Sequence, residues 1–466
     1  MIRLFSHYVP GKLIFLAGVE TLFLALSAYI GISFHLFEPG SAISGSGSYG
    51  PPQAVAFALG MLMVITSMGL YQPEHWRDFQ SVLVRLVAAF LLGYALARLV
   101  SYFVPSLQLS ADAVATTMIV ALAGSILFRM AYHKWSSLRA FKPRVLVLGT
   151  GSRVMQLAEL AQRNQNHEVV GYVALQPQRS KHYVPLPRVL PTEPGEPLIS
   201  IVERYAIDQI VIAIRERRGG GLPLQELLEC RLKGVKICEL PTFMEREYRQ
   251  VLLESINPSW MVLGDGFRQG LFRTAVKRLF DLAASGALLL VTLPIMLVTA
   301  LCIFLESRGP VLYRQQRVGQ GGRVFTIYKL RSMKNDAESD GTPCWAAADD
   351  ERTTRVGRLI RKLRIDELPQ IINVFNGEMS FIGPRPERPF FVDQLEKQIP
   401  YYSLRHSVKP GITGWSQVRY PYGASIDDSI EKLQYDLYYV KNHCLFLDLM
   451  ILIDTVEVVL WGKGAR

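Results

Sequence analysis

Cysteine is scarce in this chain. There are five among 466 residues, at Cys230, Cys238, Cys302, Cys344 and Cys444, and none forms a CxxC pair. This excludes a disulfide framework and a thiolate zinc site, and fits reduced thiols in a cytoplasmic setting. Histidine is also sparse, and His406 and His443 stand apart, so a histidine-built metal centre is not expected. Charged residues make up only 20% of the chain, and Lys and Arg are missing from the segments Pro39 to Pro51 and Pro105 to Ser110. Apolar residues are in excess. They reach 50% of the composition, above the ordinary soluble range and concentrated toward the amino end, which is a membrane signature. The length leaves room for two or three domains.

Four apolar stretches come first: Leu13 to Leu36, Pro52 to Leu70, Val82 to Val104 and Ala113 to Tyr132. Each approaches the ~20 residues that a spanning helix needs. The first follows Arg3 and Lys12 but is too long for a signal-peptide core, so it reads as a retained helix. Lys134, Arg139, Lys142 and Arg144 follow the fourth stretch. With the two Lys/Arg-free loops, they place the amino terminus and the rest of the chain on the cytoplasmic side. The formal charge of +11 flanks apolar runs, as expected for an anionic membrane surface and phosphate-bearing ligands, and nucleic acid is not expected as a partner.

From Pro143 the pattern alternates between strands and helices. RVLVLGTGSR runs from a strand into a glycine turn, with a helix over Val154 to Gln162, and EVVGYVAL, DQIVIAI and GVKICEL are further strands. The pattern predicts a small parallel, Rossmann-like sheet. Gly149 and Gly151 begin a dinucleotide fingerprint, but its third glycine position holds Val154. The second strand ends in Ala174-Leu175-Gln176, without an acid to hold a ribose. The incomplete fingerprint favours a structural or regulatory module over cofactor binding. A linker, NPSWMVLGDGFRQG, follows at Asn257 to Gly270.

Ala283 to Leu305 is long enough to cross a bilayer. Both flanks are basic, with Arg273, Lys277 and Arg278 before and Arg308, Arg314 and Arg317 after, so both ends belong on the same side. Pro294 supplies a break, and the segment reads as a re-entrant hairpin bent there. The last apolar run, Leu445 to Trp461, contains Asp448, Asp454 and Glu457, and is expected to pack on its domain or lie at the interface.

The chemistry concentrates in RIDELPQ, Arg364 to Gln370. Asp366 and Glu367 are adjacent, with a proline two residues beyond, so Asp366 is expected to cap a helix running through Gln370 to Phe375. Asp349, Asp350 and Glu351 lie upstream, followed by a run of Arg and Lys that includes Arg361. Paired carboxylates inside a basic rim suit Mg²⁺ and a diphosphate. Taken alone, such a pair is usually a cap with a surface neighbour. Upstream, GPVLYRQQRVGQGGRVFTIYKLRSM predicts two strands about a Gly-rich turn, ending in Lys329 and Arg331. Downstream, FIGPRPERP holds Arg385 between two prolines of fixed φ. For any one of these basic residues the plain alternative is a solvated surface charge.

Taken in order, these blocks, with KPGITGWSQV at Lys409 to Val418 and Asp436 in YDLYYV, resemble the bacterial sugar transferase family, the long monotopic polyprenyl-phosphate phosphoglycosyl transferases. The resemblance covers about Phe272 to Arg466. It implies transfer of sugar 1-phosphate from a UDP-sugar donor to undecaprenyl phosphate, releasing UMP at the start of exopolysaccharide assembly. Asp366 would be the nucleophile, Glu367 would help place Mg²⁺ as its fellow ligand, and Lys329, Arg331, Arg361 and Arg385 would hold substrate. It also implies a cytoplasmic catalytic face on the bacterial inner membrane, a re-entrant helix broken at Pro294, and a homodimer. Family members commonly place Ser before that proline, where this chain has Leu293. Trp415 reads as a core anchor of its loop, with base stacking as the alternative. The expected fold is an α/β membrane protein: four transmembrane helices over residues 1–135, a Rossmann-like module over 143–256, and an α+β catalytic domain over 271–466 with the re-entrant helix at about 283–305. A membrane-anchored nucleotide-sugar dehydratase or epimerase would share the helices and the Rossmann domain, but needs an intact fingerprint and a Tyr-x-x-x-Lys pair. The spacing occurs only at Tyr8 and Lys12, ahead of the first helix.

Overall fold

The computed structural model describes residues 2–4, 7–33, 51–72, 79–104, 111–136, 142–151, 153–163, 167–174, 189–191, 196–214, 222–253, 270–334, 352–420, 423 and 425–461. The segments 39–50, 105–110 and 257–269, together with Cys344, Asp349, Asp350 and Glu351, lie outside the described residues. The chain divides into two compact units, one of Pro10–Tyr248 and one joining Ile2–Val9 to Arg249–Arg466. It opens with a short antiparallel hairpin, β1 (Ile2–Leu4) and β2 (His7–Val9).

The first unit begins with α1 (Gly11–Ser33), α2 (Pro51–Ser67), α3 (Phe79–Phe103) and α4 (Ala111–Ser136). In this bundle α1 packs on α2 and α4, and α3 closes the ring against the same two. Leu24, Ile65, Leu86, Phe90 and Val114 fill the interior. Leu22, Val84, Leu91, Ile119 and Leu127 are just as apolar but point outward. A helix that is hydrophobic on every face belongs in hydrocarbon, and α1, α3 and α4 are long and apolar enough to cross a membrane. The shorter α2 has 17 residues. One buried charge pair crosses the bundle. The Arg129 guanidinium meets the Glu20 carboxylate at 2.7 Å, and the Tyr71 hydroxyl donates to Glu20 at 2.6 Å. Arg129 and Arg85 also donate to the carbonyls of Leu70 and Met68, which the end of α2 leaves without helical partners.

The same unit continues with four parallel strands, β3 (Arg144–Leu148), β4 (Glu168–Val173), β5 (Gln209–Ile212) and β6 (Lys236–Glu239), in the order β4-β3-β5-β6. The helices α5 (Arg153–Arg163), α6 (Leu198–Arg204) and α7 (Leu224–Leu232) lie between them in sequence, and α8 (Leu240–Glu247) follows. Strands covered on both faces need continuous apolar runs, which VLVL and IVI supply. After β3, Gly149 takes φ +124, a value glycine reaches freely, and its N–H bonds to the Val173 carbonyl at 2.8 Å.

The second unit starts with α9 (Leu271–Glu306). The hairpin β7 (Leu312–Val318) and β8 (Val324–Leu330) turns through Gly321 and Gly322, both at positive φ. Then come α10 (Arg355–Lys362), a 3₁₀ turn at Ile365–Gln370, α11 (Ile371–Asn376), β9 (Ser380–Ile382), α12 (Pro389–Gln398), β10 (Gly411–Thr413), α13 (Trp415–Arg419), α14 (Ile426–Asn442) and α15 (Leu445–Leu460). Phe391, Leu395, Trp415, Leu437, Tyr438 and Ile451 form its core.

Two expectations fare differently here. The segment expected to break at Pro294 is drawn as one 36-residue helix, which starts at Leu271 and runs through the proline. A proline removes a single backbone bond, and helices in apolar surroundings absorb that loss by local adjustment. The terminal helix α15, in contrast, packs on its unit as expected. Its acids are buried, and two of them are paired, Asp448 with Lys277 at 2.9 Å and Asp454 with Arg419 at 2.9 Å.

Candidate active site

Arg364 ends α10 by entering the left-handed region, at φ +59 and ψ +17, and turns the chain into the 3₁₀ segment carrying Asp366 and Glu367. Asp366 is therefore not a helix cap. Arg364 holds the cap position, makes no side-chain cap, and starts the turn two residues earlier than the proline spacing implied. The tighter turn directs the two acids to different surroundings. Glu367 is gripped by Lys329 at 2.8 Å and by Arg385 at 2.5 and 3.3 Å, with Arg364 at 3.9 Å. Asp366 lines the cavity and makes no hydrogen bond or ion pair among the described residues.

Their electrostatics diverge accordingly. Burial, reinforced by the neighbouring Glu367 charge, raises the Asp366 pKa to about 6, although Lys329, Arg385 and Arg361 oppose the shift. Glu367 is buried as well, but Arg385 and Lys329 overcome that burial and hold its carboxyl well below the usual carboxylate range. Lys329 is itself pushed down by burial against the pull of Glu367. The adjacent acids thus take different roles, one a clamped counter-charge and the other a nearly unsolvated carboxylate facing open space.

That space is a cavity of about 430 Å³, within the range of small-molecule sites. Eleven of its lining residues are Lys or Arg and three are acidic, so it is built for an anion. Lys329, Arg331, Arg361 and Arg385 all line it with Asp366, so these candidates from separate sequence blocks converge on one site. Glu367 does not line it, and Pro294 lies elsewhere, in the exposed middle of α9.

Several elements hold this arrangement. Gly383, Gly411 and Gly414 let β9, β10 and the following turn approach so closely that a Cβ on any of them would strike the facing backbone. The pairing aims Pro384-Arg385-Pro386 at the 3₁₀ turn. Behind the loop, buried Arg405 donates to the Arg385 carbonyl at 2.9 Å, to Asp436 at 2.8 and 3.1 Å, and to the Tyr402 hydroxyl at 2.7 Å. From α9, Lys277 reaches the Ile382 carbonyl at 3.2 Å, while Asp281 accepts from the Ser380 hydroxyl and the Phe381 N–H at 2.9 and 3.1 Å. Sequence reasoning does not name Arg405, and it gives Arg317 only as a basic flank of the apolar segment. An isolated arginine in YYSLRHS or YRQQRV carries no spacing signature, and only the fold turns it inward. Trp415 is 1% exposed and its indole N–H bonds to the Arg249 carbonyl, as a core anchor should.

Of the two acids expected to hold a divalent cation, Asp366 faces the cavity while Glu367 is taken up by Lys329 and Arg385, and no cluster of three Asp, Glu, His or Cys occurs among the described residues. Magnesium is commonly held by one or two carboxylates plus substrate phosphates, so this donor set fits a magnesium that arrives with a diphosphate.

Comparison with known proteins points to the same region. A family model described as bacterial sugar transferase matches residues 272–462. The UDP-N-acetylgalactosamine-undecaprenyl-phosphate N-acetylgalactosaminephosphotransferase of Aeromonas hydrophila is 42% identical over 259 residues, which are 56% of this chain and 60% of that protein. The undecaprenyl-phosphate glucose phosphotransferase of Komagataeibacter xylinus is 41% identical over 41% of this chain and 36% of its own length. An uncharacterized sugar transferase of Bacillus subtilis, EpsL, is 43% identical over 41% of this chain and 90% of its own length. The chain thus spans less than two thirds of the length of the first two of these relatives.

Proposed function

Since the chain belongs to the bacterial sugar transferase family, we propose that its second unit transfers sugar 1-phosphate from a UDP-sugar to undecaprenyl phosphate, yielding a polyprenyl diphosphate sugar and UMP. One observation carries the reading: a buried carboxylate without a partner, Asp366, faces a cavity walled by cations, while its neighbour Glu367 is already neutralised. The Asp366 carboxylate oxygen attacks the β-phosphorus, the bond from that phosphorus to the bridging oxygen breaks, and UMP leaves with the electron pair. An oxygen of the lipid phosphate then attacks the same phosphorus, and the Asp366 carboxylate is released. Arg385, Lys329, Arg331 and Arg361 bind and orient the diphosphate, and Glu367 fixes Arg385 and Lys329 in place. Magnesium arriving with the diphosphate would find the Asp366 carboxylate as its protein ligand and would neutralise charge on the phosphates, whereas Glu367, expected as a second ligand, is engaged by Arg385 and Lys329. A screen of UDP-sugars with undecaprenyl phosphate, scored by UMP release, tests the reaction. Absence of UMP from every donor would reject it.

The Asp366 pKa of about 6 implies a pH dependence. A carboxyl attacks only when ionised, so kcat/KM, which reports the free enzyme, is expected to fall tenfold per pH unit below about 6 and to level off above it. A profile flat through that range would mean that another group limits the reaction.

The proposal includes the re-entrant course of α9, a Rossmann-like identity for the parallel-sheet module, the division at 1–135, 143–256 and 271–466, a cytoplasmic catalytic face at the bacterial inner membrane, and a homodimer. Support for the re-entrant course comes from the two ends of α9. Near its start, Arg278 donates to the carbonyls of Val374 and Phe375. At its end, the Glu306 carboxylate accepts from the N–H groups of Arg355 and Val356, while Ile303 packs with Leu330 and Ile360. Both ends thus hold the same unit. Between them Leu290, Val291, Leu293, Ile295, Leu297 and Val298 are exposed on all sides, as in lipid. In a cysteine-free background, new cysteines just before Lys277 and just after Arg308 are both expected to resist an impermeant thiol reagent in intact cells and to react after permeabilisation. Labelling of the second site in intact cells would make α9 a spanning helix.

A further inference from the structure

The hairpin that precedes the first membrane helix belongs to the second unit, although some 240 residues separate it from the rest of that unit. Its His7 side chain is fully buried. The His7 ring stands edge-on to Trp415 and to Tyr438, each at 5.8 Å between centroids, with Phe446 at 6.2 Å. His7 Nδ1 lies 2.9 Å from the Tyr438 hydroxyl. Next to it the Tyr8 carbonyl accepts from Arg249 Nε at 3.2 Å, and the Arg249 carbonyl accepts from the Trp415 indole at 3.1 Å. The imidazole is neutral, since burial first, then Arg249 and Arg419, depress its pKa to about 2.

These rings form the back of the site. Trp415 immediately precedes Ser416, and Tyr438 lies two residues beyond Asp436; Ser416 and Asp436 both line the cavity. Asp436 in turn holds Arg405, which holds the Arg385 carbonyl. A displacement of α13 or α14 therefore reaches the arginine facing the substrate. The hairpin ends at Val9 and α1 begins at Gly11.

We propose that the amino-terminal hairpin is a strap that positions the cavity wall formed by α13 and α14, with His7 as its positioning residue, so that catalysis depends on the segment leading into the first membrane helix. The hydrogen bond and ring contacts of His7 act through Tyr438, Trp415 and Phe446, and the residue does not line the cavity.

The test uses the full chain and three variants, His7→Ala, Tyr438→Phe and His7→Asn. His7→Ala is expected to lower kcat and kcat/KM together, by about 10- to 100-fold, the effect of a small misplacement of substrate-holding groups. Amide hydrogen exchange should accelerate in residues 411–419 and 433–442 and remain unchanged in 144–173. Tyr438→Phe should reproduce part of the loss, and the double variant His7→Ala with Tyr438→Phe should cost less than the sum of the two. His7→Asn keeps a polar atom near the Nδ1 position and should restore much of the turnover. Unchanged turnover and exchange in His7→Ala would overturn the strap. A loss that merely follows the folded fraction and is not recovered by His7→Asn would overturn the positioning role. The kinetic arm rests on the transfer reaction proposed above and the exchange arm does not. If the parent protein releases no UMP, accelerated exchange in the wall still supports the strap and unchanged exchange still rejects it.

Discussion

Asp366→Asn is expected to abolish sugar-phosphate transfer while leaving the protein folded. The substitution preserves shape, and Asp366 makes no hydrogen bond or ion pair among the described residues that its loss would break. It replaces the carboxylate that lines the cavity without a hydrogen bond or ion pair among the described residues with an amide that cannot form the phosphoryl ester. Removing a covalent nucleophile costs on the order of 10⁴-fold or more in kcat where the remaining groups still bind and polarise substrate. Residual UMP release should be below a thousandth of wild type, with a melting temperature no lower than wild type at neutral pH and no trapped phosphosugar on the protein by mass spectrometry. Near-wild-type release would assign the attack to another group. Glu367→Gln is a useful contrast, because it leaves the nucleophile in place and releases Lys329 and Arg385 from their counter-charge.

The second large effect concerns stability. Arg405 and Asp436 are 6% and 1% exposed, and their ion pair is buried. Burial pushes the Asp436 pKa up, and Arg405 limits the rise. Arg405→Leu removes that restraint and also leaves the Arg385 carbonyl and the Tyr402 hydroxyl without their donor. Breaking one side of such a pair costs about 3 to 5 kcal/mol. Without Arg405, the folded-state pKa of Asp436 would lie further above its unfolded value. Its contribution is then fully present below the unfolded pKa of about 4 and lost as pH rises through the folded one, so the melting deficit should widen from acid toward neutral pH. Adding Asp436→Leu should recover most of the stability but not the activity, since two apolar groups pack where one lone charge could not. If the double variant melts as low as the single one, packing rather than charge explains the deficit.

The site was legible in the sequence where its chemistry is local. An Asp-Glu pair, an arginine between two prolines and a strand ending in Lys329 and Arg331 each announce a residue type at a fixed place, and the fold brings them together. The four-stranded parallel sheet was legible for a related reason: continuous apolar runs separated by amphipathic helices leave few alternatives. What was not legible depends on contacts distant in sequence. The sequence does not mark Arg405, because an arginine turned inward looks like one turned outward until Asp436 appears 31 residues later. Asp366 was misread as a cap because the proline spacing suited an α-helical first turn, whereas the left-handed Arg364 commits the chain to a 3₁₀ turn. His7, in a short segment ahead of an apolar helix, gave no hint of its partner 431 residues away.

The charge pair inside the four-helix bundle has a consequence for biogenesis. Glu20 leaves the ribosome 109 residues before Arg129. At 5–20 residues per second, the first helix waits roughly 5 to 20 s for its cation. A charged residue at the centre of a lone helix in lipid costs roughly 2.5 to 3.5 kcal/mol. The first helix therefore carries a cost until its partner is made. The arrival of the fourth helix with Arg129 relieves that cost, so the Glu20–Arg129 pair favours association of the first helix with the fourth.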